Sequence, residues 1–363
     1  MSQLQLGLQT HSAELIRAWD GLADRLDAVP FVRSGWITAW TRAFAPGRLR
    51  LLCAIRNDKL VGLLPLLEGR WTLSSPTNWH TPMFGWLVAD EEVARSVGWW
   101  LMARGRARID IAFFDAADPA LTVLREAADS RRQRTIMRTI LRSPYVDLAG
   151  GDWGACRSTL PKKTRKEAER LGRRLAEQGE LRLDWSTSAS NLDALIEQGF
   201  TLEGSGWKEE QQSAILSSAT TRGFYTDIAR WAHARGELAL AFLRLDERPI
   251  AFDFCLRSHG VTYVLKGGFD PAFKRFGPGA VLTYESIRRA CEEGFSSYEL
   301  LGADDPHKLS WTQAVRERVR FQAFARSPAG LLNRMAWSHG RNAVRGTLDL
   351  LGSVRDRRRG SHA

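Results

Sequence analysis

Residues 261–285 read VTYVLKGGFDPAFKRFGPGAVLTYE, and the order of patterns in this stretch decides the predicted fold. β-branched and aromatic side chains alternate over Val261–Lys266, which predicts a strand that ends at Gly267-Gly268. A basic loop with two glycines, Lys274–Gly279, follows, and Ala280–Ala290 has the partial apolar face of a helix. This order suits anion binding, because the first N–H groups of a helix lack partners and carry partial positive charge.

The loop is the predicted phosphate site. Gly277 and Gly279 would let a ligand approach the backbone closely, and Pro278 costs little in a first helical turn. In the alternative interpretation, the glycines only make a turn and the basic side chains face water. The predicted cofactor-binding residues are Lys274, Arg275, Gly277, Gly279 and Ala280.

The composition indicates an ordinary globular protein with a basic surface. A chain of 363 residues is long enough for two domains. Its content of 44% hydrophobic and 26% charged residues is typical of a globular protein with buried cores. The net charge of +11 favours acidic partners such as phosphorylated cofactors, anionic lipid or nucleic acid. No nucleic-acid motif with a basic face and interleaved aromatic residues is recognisable, so nucleic acid is not the expected partner.

The cysteines and the N-terminus indicate the compartment. Cys53, Cys156, Cys255 and Cys291 lie far apart without a C-x-x-C motif, so neither zinc nor a redox pair is expected. Cys53 and Cys255 stand in apolar runs and are predicted to be buried. Residues 1–15 lack the pattern of a signal peptide, and no apolar run approaches a transmembrane span. We therefore predict a soluble, cytoplasmic protein without a metal.

The first half predicts a mixed α/β order. Helices are expected at 12–28 and 31–44, with Ser12 and Ser34 as possible N-caps. Two apolar runs around Asn57–Lys59 predict a β-hairpin. The remaining expectations are a loop over 74–86, helices over 91–104 and 118–131, and a strand over 109–114, so that one sheet is complete by about residue 148.

The second half repeats this order after a seam at 149–154. Strands at 238–245 and 250–256 around a charged turn match the first hairpin, which indicates one supersecondary unit used twice. Only the second copy continues into the glycine loop, so the first copy is predicted to be a structural or acceptor-side partner. The predicted domains are 1–150, 151–327 with the glycine loop, and a basic helix with a disordered tail over 328–363, which could touch anionic membrane.

A helix over 160–177 carries seven basic residues. We interpret this helix as a solvated arm whose charged side chains face water. In the alternative interpretation, its positive charge attracts an anionic substrate to the site. The basic residues are Lys162, Lys163, Arg165, Lys166, Arg170, Arg173 and Arg174.

Candidate catalytic residues stand near the ends of the later strands. Asp253 interrupts an apolar strand, where a carboxylate is costly unless it is used or paired. A strand at 297–301 leads into a polar loop with Asp304, Asp305 and Lys308, and open sheets place ligands at such positions. The alternative for this loop is an Asp-Pro turn with an N-cap for the next helix. The predicted catalytic residues are Asp253, Asp304 and Lys308, with His307 as a further possibility.

At this point the chain resembles a known family. Lys274-x-x-Gly277-x-Gly279 is similar to the phosphate loop of the GNAT acyltransferases, with Lys where the family has Gln or Arg. The whole chain more narrowly resembles the CelD-type acetyltransferases linked to cellulose and exopolysaccharide synthesis, which are related to the Fem-type transferases. The segments that carry this resemblance are FVRSGWITAWTRAF (31–44), LVGLLPL (60–66), LPKKTRKEAER (160–170), GSGWK (204–208), GELALAFLRLDERPIAFDF (236–254), FDPAFKRFGPG (269–279) and LLGADDPHKLSW (300–311).

The resemblance implies a fold and an activity. It implies two tandem GNAT-like α/β domains with mixed sheets, and transfer of an acyl group from acetyl-CoA or another acyl-CoA to an amine or hydroxyl. A small molecule or a sugar of a surface polysaccharide would be the acceptor. Glu203, Trp207 and Lys208 match the family and would line the acceptor cleft, and Lys266 could reach the ligand. The alternatives are a Fem-like transferase that takes aminoacyl-tRNA and a non-catalytic protein with a degenerate GNAT fold.

Overall fold

The structure is a computed structural model, and it describes residues 4–104, 106–148, 152–186, 191–205 and 215–334. These residues form a mixed sheet of 13 strands with helices on both faces, which confirms the predicted α/β class. The helix expected from Pro328 begins there and is described as far as residue 334. The rest of the predicted basic helix and tail, together with residues 149–151 of the seam, lies outside the described residues.

The first half contains seven strands and four helices within the described residues. A short 3₁₀ segment, Pro30–Val32, precedes the second helix. In chain order the elements are β1 (Gln5–Gln9), α1 (Ala13–Arg25), α2 (Ser34–Phe44), β2 (Leu49–Arg56), β3 (Lys59–Glu68), β4 (Thr72–Ser74), β5 (Leu87–Val88), α3 (Glu91–Ala103), β6 (Arg108–Asp115), α4 (Ala120–Ser130) and β7 (Arg134–Asp147).

The second half has the same alternation. Two 3₁₀ segments occur at Ile215–Ser217 and Pro271–Phe276. The elements are α5 (Trp153–Thr159), α6 (Lys162–Ala176), β8 (Leu181–Ser186), α7 (Leu192–Gly204), α8 (Ala219–Ala234), β9 (Leu238–Leu245), β10 (Arg248–Ser258), β11 (Val261–Phe269), α9 (Pro278–Glu292), β12 (Ser297–Glu299), α10 (Pro306–Leu309) and β13 (Val315–Phe324).

Local sequence signals account for most boundaries. Asn57 and Asp58 have φ angles of 51° and 58°, the left-handed values that a tight two-residue hairpin requires. Ser12 caps α1 by accepting a hydrogen bond from the Leu15 N–H at 3.2 Å, as predicted. The predicted cap at Ser34 is wrong: Arg33 is the N-cap of α2, and the Ser34 hydroxyl donates to Asp20 at 2.7 Å.

One long strand joins the two halves of the sheet. β7 pairs antiparallel with β13 over residues 134–144 and with β12 over 145–147. β13 lies between β6 and β7, although it comes from the end of the described chain. The strand order is β1-β2-β3-β4-β6-β13-β7-β12-β11-β10-β9-β8, and β5 pairs with β3.

Aromatic side chains fill the contact between the halves. The Trp36 and Phe224 rings lie 5.4 Å apart, and the Phe31 and Tyr263 rings lie 5.1 Å apart. A single hydrophobic core runs through these residues from α1 and α2 to α7 and α8. Edge-to-face aromatic pairs of this kind contribute beyond their buried area. The shared core holds the loop over 75–86 of the first half against the second half.

The basic helix α6 is not a solvated arm, and that prediction is wrong. Ala168, Leu171 and Leu175 are buried. The Tyr284 hydroxyl on α9 donates to Glu169 at 2.7 Å, and the Thr164 hydroxyl donates to the Ser310 carbonyl at 2.6 Å. The apolar stripe of α6 therefore packs on α9. Five of its seven basic side chains are exposed: Lys162, Lys163, Lys166, Arg170 and Arg173.

The cysteines divide into two kinds. Cys53 and Cys255 are buried and free, as predicted. Cys156 of α5 and Cys291 of α9 form a disulfide across 135 residues of sequence, which the sequence spacing did not predict. Disulfides persist mainly in oxidising compartments, so this pairing does not support the reducing compartment expected from the sequence.

Candidate functional site

Two glycines let β11 continue where the sequence predicted its end. The strand runs on to Phe269, because each glycine leaves room for a neighbour. A Cβ atom at Gly267 would collide with Asp253 Oδ1, and one at Gly268 would lie 2.5 Å from the Glu203 Cα and 2.6 Å from the Leu202 carbonyl oxygen. The glycine pair thus permits close packing on both faces of the strand.

A β-bulge and an opening in the sheet lie together in β11. Lys266 pairs with Phe254 and Val264 with Cys255, so Leu265 is the extra residue of a bulge. The parallel pairing of β11 with β12 covers only Val261–Tyr263, where Tyr263 is opposite Glu299. Within the described residues, β11 has no pairing with β12 beyond that point. We call the place where β11 continues past the Leu265 bulge without pairing to β12 the opening in the sheet.

The glycine loop has the geometry of an anion site. Gly277 adopts the left-handed conformation (φ 56°, ψ 48°) as N-cap of α9, and Pro278 takes the first helical position. The N–H groups of Ala280 and Val281 both donate to the Gly277 carbonyl, at 3.0 and 3.2 Å. The first-turn N–H of Gly279 has no acceptor earlier in the helix. Lys274 and Arg275 are exposed beside it on the 3₁₀ segment.

The basic helix α6 lies directly beside this loop. A Cβ atom at Gly277 would be 2.8 Å from Leu171 Cδ1, and the Arg174 guanidinium lies 5.4 Å from the Phe276 ring centre. The outer face of α6 thus adds positive charge next to the N-terminus of α9. This position favours the alternative interpretation of the helix as an electrostatic guide for an anionic substrate.

A polar cluster lies on the opposite face of the sheet from α9. Lys266 shares its face with Phe254, whose ring packs against Phe200 and Tyr225. The Lys266 ammonium lies 4.0 Å from Glu203 Oε1 and 5.2 Å from the Trp79 ring centre. We call Trp79, His80, Glu203, Tyr225 and Lys266 the Lys266 cluster.

Burial sets the chemistry of this cluster. Glu203 is 1% exposed and accepts a hydrogen bond from the Ile215 N–H at 2.7 Å. His80 Nδ1 lies 3.2 Å from the Tyr225 hydroxyl, and burial together with the Lys266 charge lowers the pKa of His80 to about 4. Burial, and then the Glu203 charge, raises the pKa of Tyr225. His80 is therefore neutral at pH 7, and Tyr225 keeps its proton.

The depressed pKa of His80 predicts acid sensitivity. The folded state favours the neutral imidazole of His80. The contribution of His80 to stability is therefore complete above pH 6.5, the ordinary pKa of histidine, and is lost as the pH falls toward 4. When the pH falls from 7 to 4, the free energy of unfolding should decrease in both proteins. We expect the decrease to be ~2 kcal/mol smaller in a His80→Phe variant than in the wild type. Urea unfolding at both pH values measures this difference. His11→Phe, at an exposed position, is the control, and equal acid sensitivity in wild type and His80→Phe would contradict the prediction.

The predicted catalytic residues fall at separate places. Asp253 lies on the α9 face of the sheet, over Gly267. Asp304 pairs with Arg142 at 2.8 Å. Asp305 caps α10 by accepting from the Lys308 N–H at 3.0 Å, which confirms the N-cap alternative for that residue. The Lys308 ammonium bonds the Ala303 carbonyl and Asp305, both at 3.2 Å, so it braces the loop after β12.

Sequence reasoning missed part of the site. Glu203 and Lys266 do meet, whereas Trp207 and Lys208 lie outside the described residues. Trp79 and His80 were not predicted, because they stand in the first half in a loop without a motif. The exposed indole of Trp79, 65% accessible, is visible only in the structure.

Neither a metal-binding cluster nor a membrane-spanning helix occurs among the described residues. No group of three or more His, Cys, Asp or Glu residues in the described ranges is arranged to hold a metal ion. Among the helices that the structure describes, none combines the length and the apolar character that crossing a bilayer requires.

The comparison with protein families agrees with the geometry. Residues 162–309 match the family model described as "Acetyltransferase (GNAT) domain". Residues 162–309 are therefore similar to a GNAT-type acetyltransferase domain. The match includes the glycine loop, β11, α9 and the loop after β12. No curated protein matches the chain in sequence.

Solved structures show that the likeness extends over both halves. FemX is 12% identical with a TM-score of 0.59, and the match covers 90% of this chain and 99% of FemX. A C-terminal DUF2156 domain from Agrobacterium fabrum is 13% identical with a TM-score of 0.56, covering 89% and 95%. L-PGS from Bacillus licheniformis is 10% identical with a TM-score of 0.52, covering 87% and 93%. At such identities the likeness shows the fold alone.

Proposed function

We propose that the protein is a GNAT-type acyltransferase that moves an acyl group from acyl-CoA to an amine or hydroxyl. One observation supports this most. The left-handed Gly277 begins α9 beside a basic helix, and the sheet opens next to it at the Leu265 bulge, with the Lys266 cluster on the opposite face. An anionic donor and an acceptor can therefore reach one opening from two sides.

The donor side fits a nucleotide thioester. The N–H of Gly279 at the start of α9 would bind a pyrophosphate, with Lys274, Arg275 and α6 supplying charge. The N–H groups of Gly277 and Ala280 already donate to the Lys274 and Gly277 carbonyls. Among the described residues, a Cβ atom at Gly279 would meet only Phe269 Cδ1, at 3.6 Å, so no described side chain covers this position. The thioester arm would enter the opening beside the Leu265 bulge.

The acceptor side fits direct transfer. The nitrogen or oxygen of the acceptor attacks the thioester carbonyl, the C–S bond breaks, and the CoA thiolate leaves. We assign Glu203 to accept the acceptor's proton, because its carboxylate lies beside Lys266 on the acceptor face. Holding both substrates in one opening supplies the proximity that the reaction requires. A surface-polysaccharide sugar as acceptor, and acetyl as the acyl group, rest on the CelD-type resemblance.

The donor site is tested by calorimetry. We expect acetyl-CoA to bind the wild type far more tightly than ATP, and a Lys274→Glu/Arg275→Glu variant to raise its Kd ~100-fold through lost charge-assisted contacts. Arg17→Glu, an exposed charge reversal on α1, is the matched control and should bind like the wild type. Equal affinity in the folded double variant would overturn the donor assignment. Transfer to any acceptor would exclude the non-catalytic alternative.

A second candidate is a Fem-like transferase with an aminoacyl-tRNA donor. The specific observation is the exposed basic face of α6 beside the loop, in a fold shared with FemX. This candidate predicts RNA binding that weakens steeply with salt. A filter-binding titration with bulk tRNA over a range of salt concentrations measures it. Absence of binding at low salt would remove this candidate, whereas salt-dependent binding without acetyl-CoA binding would replace the first.

A further inference from the structure

A large cavity lies in the first half of the molecule, away from the glycine loop. Its volume is about 880 Å³, within the range of small-molecule sites. Its lining residues come from 26–32, 83–95 and 115–126, together with Arg318 of β13. β5 pairs antiparallel with β3 and leads into α3, as β11 pairs with β10 and leads into α9. The cavity thus borders the place in the first repeat that the glycine loop occupies in the second.

The charge at this place is the reverse of that in the second repeat. α3 begins with the N-cap Asp90, which accepts a hydrogen bond from the Val93 N–H at 2.9 Å. Glu91 and Glu92 follow in the first turn, where α9 has Pro278 and Gly279. Carboxylates already satisfy the positive end of the α3 dipole. A phosphate would be repelled here, so this cavity is not a second CoA site.

Carboxylates outnumber cations around the cavity. Three of the six lining carboxylates have an arginine partner: Asp90 with Arg56 at 2.8 Å, Glu91 with Arg95 at 2.5 Å, and Asp115 with Arg318. The other three are Asp27, Asp118 and Glu126.

Those three carboxylates keep negative charge at the cavity. Asp27 lies 3.4 Å from His259. Within the described ranges, neither Asp118 nor Glu126 pairs with a lysine or arginine. In a chain of net charge +11, this is a local excess of negative charge.

Two further features point to a bound ligand. Apolar side chains form much of the wall, and burial raises the pKa of the Asp118 carboxyl, as expected where water is partly excluded. The Arg318 side chain is 1% exposed and already donates to Asp115, so it does not neutralise Asp118 or Glu126. The apolar lining includes Val32, Met83, Phe84, Trp86, Leu87 and Val123.

We propose that this cavity binds a small organic amine that has an apolar body. The ammonium lies against Asp118 and Glu126, and the apolar body packs on Phe84 and Trp86. The site is separate from the glycine loop and does not depend on the proposed acyl transfer. The first repeat would then hold a cation where the second holds an anion.

Isothermal titration with three compounds of one size tests the proposal. The probes are 2-amino-1-phenylethanol, neutral 1-phenyl-1,2-ethanediol and anionic mandelate. We expect the amine to bind the wild type with a Kd below ~1 mM and at least ~10-fold more tightly than the other two. Equal binding of the diol or mandelate, or no binding of the amine at ~1 mM, would overturn the proposal.

Variants then locate the site. In Asp118→Asn/Glu126→Gln the asparagine can still accept from the Ala120 N–H, so α4 keeps its start, and the amine affinity should fall ~10-fold or more. Thr122→Trp, at an exposed helical position that lines the cavity, should block binding by its bulk. Asp129→Asn, on the same helix but outside the lining, is the matched control. A double variant that binds the amine like Asp129→Asn would refute the assignment. Lys274→Glu/Arg275→Glu should bind the amine normally, which separates this site from the donor site.

Discussion

A Glu203→Gln variant is expected to lose ~10²–10⁴-fold in turnover while it binds acetyl-CoA like the wild type. The loss follows because an amide cannot take the acceptor's proton, whereas the donor lies on the other face of the sheet. The fold should persist, since glutamine has nearly the same size and an oxygen that can still accept from the Ile215 N–H at 2.7 Å. Release of the CoA thiol measures turnover, and calorimetry measures donor binding.

The matched control for this variant lies on the same helix. Glu197→Gln makes the same change in α7 at an exposed carboxylate that pairs with Arg222 at 2.7 Å. Its turnover should equal that of the wild type, because surface ion pairs contribute little. If Glu203→Gln kept wild-type turnover, another group would accept the proton, and Asp253, Asp304 and Lys308 would remain as candidates.

A Gly268→Val variant is expected to lower the free energy of unfolding by about 3 kcal/mol and to abolish activity. A side chain at this position would meet the backbone of α7, with 2.5 Å to the Glu203 Cα and 2.6 Å to the Leu202 carbonyl oxygen. Backbone atoms cannot rotate away as a side-chain end can, so α7 must move off β11. That movement would take Glu203 away from Lys266. Urea unfolding gives the stability change.

Gly7→Val provides the same substitution in a strand without the clash. Gly7 lies in β1, at the edge of the sheet, and a Cβ atom added there would have no neighbour within 4 Å among the described residues. Valine suits a strand, so this variant should be neutral or slightly stabilising. A Gly268→Val protein as stable as Gly7→Val would show that α7 does not pack on β11 as described.

Local patterns were enough for most of the fold. Both hairpins follow from apolar runs around short charged turns, and Ser12 caps α1 as its position indicates. The glycine loop was also predictable, because left-handed backbone at a helix start favours glycine. The end of β11 was predicted wrongly at Gly267-Gly268, and the strand continues to Phe269. Glycine occurs where backbones pack closely as well as in turns, so the pair alone could not define the strand end.

The sequence by itself determined the repeated α/β unit, the glycine loop before α9 and the basic residues beside it, because each of these depends on neighbours within a few positions. Only the tertiary structure decided which distant residues share a site. Trp79 and His80 join Glu203 and Lys266 through the aromatic core between the halves, and Cys156 meets Cys291 across 135 residues. Such contacts depend on how helices pack on the two faces of the sheet, and no local spacing encodes that packing. The opening beside Leu265 has the same origin, since it forms where β11 and β12 stop pairing.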